Sequence, residues 1–463
     1  MDPADAYVKL YDELRTVDAA TLSDWFDTPQ VREIADHVRL DVEKTGALPD
    51  RWMADPPVRD RSLFGVLLGL DLALLHASKQ TDSLAFNALD ELRVRLTMTG
   101  RLNADTSGAL LFKRTTWLRP NEDPEEIDGF LNLVRVPAYL SADLHVQFVP
   151  EAYDLPDVES VVEGEELESP PPLVLAQLPF LAEPEDVEWT VPDVSAAFYN
   201  VAPASERLLP HLRTALESLD ESGAVLAILP EASVDDTLFD KWCELLESTP
   251  RPDGGLLTWL MLGTGPVWNV VPHPRTGRPP NRAVLLHRSG RARLLTTQDK
   301  HSGFTFTTDK QREYKVDLGE VKRDEYISHS RQLNLLESRY GRFGIQICED
   351  FNRFERQQYV VTAGVTHLLV PVLAAAMWTG GWQAKASEML AVSAGVKVAV
   401  SNSLAVERFY AEKPVPTLLT VSGPPGVPEQ YLTTGDLVRH HDNPNGRTMQ
   451  AREDALKPRT AAW

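Results

Sequence analysis

The chain has 463 residues, with 46 Lys and Arg against 68 Asp and Glu, a net charge of −22 and a pI near 4.9. So acidic a total excludes nucleic-acid binding through a basic face. A hydrophobic share of 43% beside 25% charged residues excludes disorder as the dominant state and suits a globular chain with large cores. Cys243 and Cys348 are too few for a disulfide framework, and the start Met1-Asp2-Pro3-Ala4-Asp5 is acidic where a secretory signal is basic. A reducing, cytoplasmic setting is expected. The longest apolar stretch, Leu63 to Leu75, is broken by Asp71 and falls short of the roughly 18 residues that cross a bilayer, so no membrane partner is expected.

Residues 1 to 150 read as a mostly helical accessory domain without motif-like chemistry. Tyr7, Leu10, Tyr11 and Leu14 stand at helical spacing, and Leu63, Val66, Leu67, Leu70 and Leu74 form a richer stripe that predicts a buried helix. Gly129 to Val149 is richer in Val, Leu and Phe and is open to strands. From 151 to 190 the chain reads as an acidic connector: Glu151 through Glu188 holds 12 acids and no Lys or Arg, around Pro170-Pro171-Pro172. Inside it, Leu173 to Phe180 is apolar enough to pack as a strap on the domain that follows.

From 191 to 440 strands and helices alternate, which predicts an α/β domain. Val194 to Tyr199 reads as a strand, Ser205 to Glu221 as a helix closed by Gly223, and Ala224 to Leu229 as a buried strand stopping at Pro230-Glu231. Leu257 to Leu262 is a further strand. Ala283 to His287 and Ala292 to Thr296 flank Ser289-Gly290 as a hairpin. Phe343 to Ile347 is a strand ending at Cys348. Helices follow at Asn352 to Ala363 and Trp382 to Ala394, each before a strand, Thr366 to Val370 and Val396 to Val400. Residues 441 to 463 read as a tail.

Three polar residues stand where strands end: Glu231, Lys300 and Cys348. In α/β sheets ligands gather at the carboxyl ends of strands, so these groups are candidates to converge. Their chemistry is coherent. A thiol attacks a carbonyl or nitrile carbon, a carboxylate takes the thiol proton and returns it to the leaving nitrogen, and an ammonium steadies the developing anion. Glu349 and Asp350 beside the thiol disfavour a resting thiolate, which makes a base such as Glu231 necessary at the moment of attack.

Leu229-Pro230-Glu231, Lys300 and Gly344-Ile345-Gln346-Ile347-Cys348-Glu349-Asp350, in that order, resemble the Glu, Lys and Cys motifs of the nitrilase superfamily of carbon–nitrogen hydrolases. Val194 to Ala202 resembles the family's opening strand, Asn281-Arg282-Ala283-Val284 with Ser289-Gly290 the strand and turn before its lysine, and Trp382 to Val400 the helix and strand after its cysteine. The likeness covers roughly residues 190 to 435. It implies a four-layer α-β-β-α sandwich and hydrolysis of a non-peptide carbon–nitrogen bond, an amide before a nitrile, through a thioester at Cys348. It also implies a homodimer or higher homo-oligomer with a small-molecule substrate. The family's second glutamate, between lysine and cysteine, falls here in a polar insertion around Ser302 to Arg342; Glu313 is the first candidate, with Glu320 and Glu325 as rivals. Cys348-Glu349-Asp350 is most like the glutaminase domains of glutamine-dependent NAD synthetases, although no Ser-Gly-Gly ATP loop is present.

Other motifs have plainer readings. Cys243 sits with Phe239 and Trp242 on a helix as a packed thiol. His440-His441-Asp442 lies in a Pro- and Asn-rich stretch without further metal ligands. His367, which could pair with Cys348, begins an apolar strand as a core histidine. Gly263-Thr264-Gly265 lacks the third glycine of a dinucleotide fingerprint, so neither cofactor nor metal is expected. Trp378 and Trp382 could line a pocket or pack in the core. The rival to an enzyme is a non-catalytic, nitrilase-like binding or assembly module whose N-terminal domain recognises a partner.

Overall fold

The computed structural model describes residues 1–54, 59–79, 102–104, 108–112, 126–149, 151–155, 173–270, 277–289, 291–338, 340–374, 377, 381–405, 417–423, 430–433 and 458–462. The chain divides into two compact units, Met1–Phe148 with Tyr359–Val365, and Val149–Gln358 with Thr366–Trp463. His440-His441-Asp442 and Trp378 lie outside the described residues.

The first unit carries helices at Pro3–Leu14, Ala19–Phe26, Pro29–Thr45 and Arg59–Lys79, and strands β1 (Leu102–Ala104), β2 (Gly108–Phe112), β3 (Leu133–Pro137) and β4 (Leu144–Phe148). β1, β2 and β3 form an antiparallel meander. The stripe Leu63, Leu67, Leu70 and Leu74 is buried against Tyr7, Leu10, Val38 and Val42. Gly69 lets the Pro29–Thr45 helix pass close, since a Cβ there would press on the Ala35 carbonyl and the Val38 side chain. Asp71, which interrupts the apolar run, is buried because its carboxylate accepts from Asn132 N (2.9 Å) and Leu133 N (3.0 Å) at the start of β3.

The second unit is built on two large sheets. Its strands are β5 (Val174–Gln177), β6 (Val187–Thr190), β7 (Phe198–Pro203), β8 (Leu226–Ile228), β9 (Trp259–Gly265), β10 (Arg282–Arg288), β11 (Ala292–Asp299), β12 (Thr305–Phe306), β13 (Arg323–Glu325), β14 (Leu333–Ser338), β15 (Gly341–Ile345), β16 (His367–Pro371), β17 (Lys397–Ser401), β18 (Thr417–Ser422), β19 (Gln430–Thr433) and β20 (Arg459–Ala462). One sheet has the order β11-β10-β9-β8-β5-β20, with β5, β8 and β9 parallel. The other runs β19-β18-β17-β16-β15-β14 within this unit, with β15, β16 and β17 parallel.

Alternation along the strands fixes the layering. Leu226, Ile228, Trp259, Met261 and Leu285 turn to the facing sheet and meet Phe343, Ile345, Leu369, Ala399 and Leu419. Ala227, Leu260, Leu262, Val284 and Leu286 turn outward, onto Leu212, Leu216, Leu219, Leu238 and Trp242 of the helices Leu212–Glu221 and Asp236–Ser248. Both faces are buried, which is why these strands read as continuous apolar runs. Helix Trp382–Ala394 packs on β17 and β18 from the far side. The result is helix, sheet, sheet, helix, an α/β sandwich.

Three expectations need correction. The segment expected as a connector over 151–190 contains β5, a strand of the first sheet that is parallel to β8, and β6; the apolar stretch expected as a strap is that strand, with Leu173, Leu175 and Ala176 buried. The strand expected at Val194–Tyr199 begins at Phe198 and lies outside both large sheets. It joins a small sheet of order β12-β13-β7-β6, two of whose strands come from the polar insertion after Lys300. The tail supplies β20, paired antiparallel to β5, because Arg459–Ala462 covers an otherwise open sheet edge.

Candidate active site

Glu231 follows β8, Lys300 follows β11, and Cys348 follows β15 and opens a short 3-10 turn, Cys348–Asn352. The first two come from one large sheet and the third from the other. All three line one cavity of about 250 Å³.

Two backbone features aim these groups. Cys348 has φ of +47°, a left-handed conformation that a non-glycine residue holds only when its surroundings enforce it, and such strain marks sites of function. Ala232, just after Glu231, has φ of +62°. The turn bearing Glu231 fits against β9 because Gly263, at φ +75°, has no side chain: a Cβ there would overlap the Pro230 carbonyl oxygen. Thr264 completes the support, its carbonyl accepting from Val234 N at 3.3 Å. Gly263-Thr264-Gly265 thus makes room for the glutamate turn.

Lys300 is buried, and its Nζ donates to Glu231 Oε1 and Glu325 Oε2, each at 2.8 Å. Burial alone would push the ammonium down; the two carboxylates outweigh it and hold it well above its ordinary value. Glu231 Oε2 accepts from Leu373 N at 3.1 Å, which ties the end of β8 to the strand end of the opposite sheet. Asn281 Nδ2 bridges the two carboxylates, donating to Glu231 Oε1 (3.0 Å) and Glu325 Oε1 (2.8 Å). The thiol of Cys348 and the Glu231 carboxylate line the same cavity. Burial first, and then that carboxylate, push the thiol well above its usual range against the pull of Lys300. The resting sulfur is therefore a protonated thiol beside a carboxylate able to receive its proton.

Glu313, the first candidate for the second acid, is not the carboxylate beside Lys300, which is Glu325. Glu313 lies on helix Thr308–Tyr314 and pairs with Lys310 at 2.6 Å, outside the Glu231–Lys300 cluster. Glu325, on β13, is buried, and besides Lys300 and Asn281 it accepts from Phe304 N at 2.9 Å. Glu320 is exposed, 3.7 Å from Arg312. Asp350 is buried and accepts from His301 N and Ser302 N, both at 2.7 Å, anchoring the chain just past Lys300.

Solved structures similar to this chain include Nit3 of Saccharomyces cerevisiae, a member of branch 10 of the nitrilase superfamily, at 16% identity over 58% of this chain and 90% of that one, TM-score 0.38. They also include the NitN amidase of Nesterenkonia sp. AN1, at 18% identity over 56% of this chain and 89% of that one, TM-score 0.36. A mutant of the Nesterenkonia amidase carrying the acetamide moiety of fluoroacetamide on its active-site cysteine is 17% identical over 58% and 90%, TM-score 0.37. No protein-family model matches this chain, and no curated protein matches it.

The other sequence candidates stand apart. His367 stacks on Phe343 with centroids 4.7 Å apart and bonds Thr366 Oγ1 at 2.8 Å, and burial lowers it to about 3, so it is a neutral core imidazole. Cys243 is half-buried on helix Asp236–Ser248, its thiol pushed up by burial to about 12. Trp382 does line the cavity. Among the described residues no group of His, Cys, Asp and Glu could hold a metal ion, and no helix is long and apolar enough to cross a membrane.

Three supporting residues were not among the candidates for site residues: Asn281, Gln177 and Asn402. Gln177 ends β5 and donates from Nε2 to Asn402 O at 2.6 Å. Asn402 follows β17, and its side chain both accepts from Ala374 N and donates to Ala374 O, each at 3.0 Å. That holds the Leu373–Ala374 segment, whose Leu373 N–H reaches Glu231. The strand-end rule that singled out Glu231 would have found Asn402 had it been applied to every expected strand, whereas Gln177 ends β5, where no strand was expected.

Proposed function

We propose that this chain is a nitrilase-superfamily hydrolase of a non-peptide carbon–nitrogen bond, an amide rather than a nitrile, working through Glu231, Lys300 and Cys348 with Glu325. The single observation that supports this most is the Cys348 thiol set against the Glu231 carboxylate, with the Lys300 ammonium 2.8 Å from that carboxylate, in one cavity. As sulfur attacks the carbonyl carbon, the thiol proton passes to Glu231 and the carbonyl oxygen becomes an oxyanion beside Lys300. Glu231 returns the proton to the nitrogen, the C–N bond breaks, and ammonia or an amine leaves a thioester on Cys348. Water then attacks the thioester and gives a proton to a carboxylate, and the acid departs as the thiol is restored. Glu325 keeps Lys300 cationic and in place throughout.

Intact-mass analysis after incubation with an amide tests this reading. A covalent acyl adduct mapping to Cys348 and absent from Cys348→Ala is expected. An adduct on Cys243 would overturn the assignment. The family likeness also carries a homo-oligomer, which light scattering at micromolar concentration would read.

A further inference from the structure

We infer that the cavity takes the amide of a small, uncharged, apolar acid, above all one with an arylalkyl acyl group; this rests on the amidase reading of the site. Its wall is aromatic. Phe306 stands edge-on to Trp189, Tyr199, Phe304 and Tyr314, with centroids 5.0 to 5.2 Å apart, and Trp382 closes another side. Each ring is fixed by its neighbours, and the Tyr199 hydroxyl is occupied, donating to Phe304 O at 3.2 Å.

Each charge lining the cavity has an opposite partner, with one carboxylate in excess. Glu231 and Glu325 flank Lys300, Lys310 pairs with Glu313 at 2.6 Å, and Glu349 with Arg353 at 3.3 Å. A substrate carboxylate or ammonium would be stripped of water beside rings, with every opposite charge engaged, and that is costly. An apolar group gains from the same wall. Size narrows the class further. A dry cavity of roughly 150 Å³ accepts benzene, so about 250 Å³ holds a phenyl ring, a short methylene link and the carboxamide.

The origin of the wall agrees with a selective role. Cys348, Glu231 and Lys300 come from the ends of strands in the large sheets. Trp189, Tyr199, Phe304, Phe306 and Tyr314 come from β6, β7, β12 and the segments flanking β12, thus from the small sheet and the insertion after Lys300. The insertion thereby supplies Phe304, Phe306 and Tyr314 to the surface that reads the acyl group.

The test compares 3-phenylpropanamide, propanamide, glutaramate and 4-aminobutanamide as substrates of the full chain. The aryl amide should exceed propanamide in kcat/KM by at least about tenfold, as expected for burying a ring, and the anionic and cationic amides should fall below propanamide. Preference for either charged amide, with Cys348 still acylated, overturns this inference and leaves the amidase reading standing. Failure of every amide to acylate Cys348 overturns both. Binding to Cys348→Ala by calorimetry gives a readout free of turnover: 3-phenylpropanamide should bind at least about tenfold tighter than glutaramate, and equal affinities would refute the assignment.

Discussion

Replacing Glu325 by Gln tests whether the second carboxylate keeps Lys300 ready as a cation. Glu325 uses both oxygens: Oε1 accepts from Asn281, while Oε2 accepts from Lys300 and Phe304 N. Glutamine has one acceptor oxygen. With that oxygen toward Lys300 and Phe304, its NH2 meets the Asn281 NH2, and relief by flipping Asn281 takes away the bond from Asn281 to Glu231 at 3.0 Å. The charge is lost as well. At 2.8 Å and an effective dielectric constant of about 20, the Lys300–Glu325 attraction is about 6 kcal/mol before desolvation is counted. Lys300 keeps Glu231 and one neutral acceptor, so we take roughly half, ~3 kcal/mol, which matches the lower end for breaking a buried pair. Acylation of Cys348 by Glu325→Gln should then slow about 100-fold, followed by single-turnover mass spectrometry, while Glu313→Gln stays within about twofold because its Lys310 partner is exposed. An acylation rate for Glu325→Gln within threefold of wild type, or a larger loss in Glu313→Gln, would refute the reasoning.

The sandwich was legible wherever strands are buried on both faces. Ala224–Leu229, Leu257–Leu262 and Thr366–Val370 read as strands because each of their residues packs inward or outward on something apolar. β5 was read only as an apolar strap: Val174–Gln177 is just as apolar but follows a long acidic stretch, so composition over a wide window outweighed a four-residue run. The site was legible to the extent that its members end strands. Glu231 and Cys348 do so visibly, whereas Glu325 ends a three-residue strand, Arg323–Glu325, whose alternation is too short to register. Its neighbours Lys322, Arg323 and Asp324 are all charged, and the pairing of β13 with β7 explains why the carboxylate is inside. Glu313 lies on a helix that carries it to Lys310 instead. Local pattern identifies the chemical type of a site, but which of several acids reaches it is decided by a tertiary turn in the insertion.

Gly263→Ala should disable the site from a distance, because its Cβ would overlap the Pro230 carbonyl oxygen at a φ that alanine resists; loss of Cys348 acylation with retained circular dichroism is expected, and wild-type acylation would show that the Glu231 turn can yield. Asp350 should give an inverted pH response: burial pushes its carboxyl from 3.8 up to about 6, so the fold binds that proton more tightly than the unfolded chain does. The stability from this group is fully present below about pH 4 and is lost as pH rises through 6, by up to roughly 3 kcal/mol. A denaturation difference between wild type and Asp350→Asn that stays flat from pH 7 to pH 4 would sink this. Glu231→Gln separates base from scaffold. The thiol of Cys348 rests protonated, so attack needs a group that removes the proton as the C–S bond forms. Gln matches Glu in size, but its single acceptor oxygen can serve either Lys300 and Asn281 or Leu373 N, and it cannot take up that proton. The variant should therefore fold with a lowered melting temperature, as Glu325→Gln should, and lose nearly all acylation of Cys348, where Glu325→Gln only slows it. Acylation at the wild-type rate would require another base at the sulfur, and His367, neutral and stacked on Phe343, is placed to pack in the core rather than to serve as one.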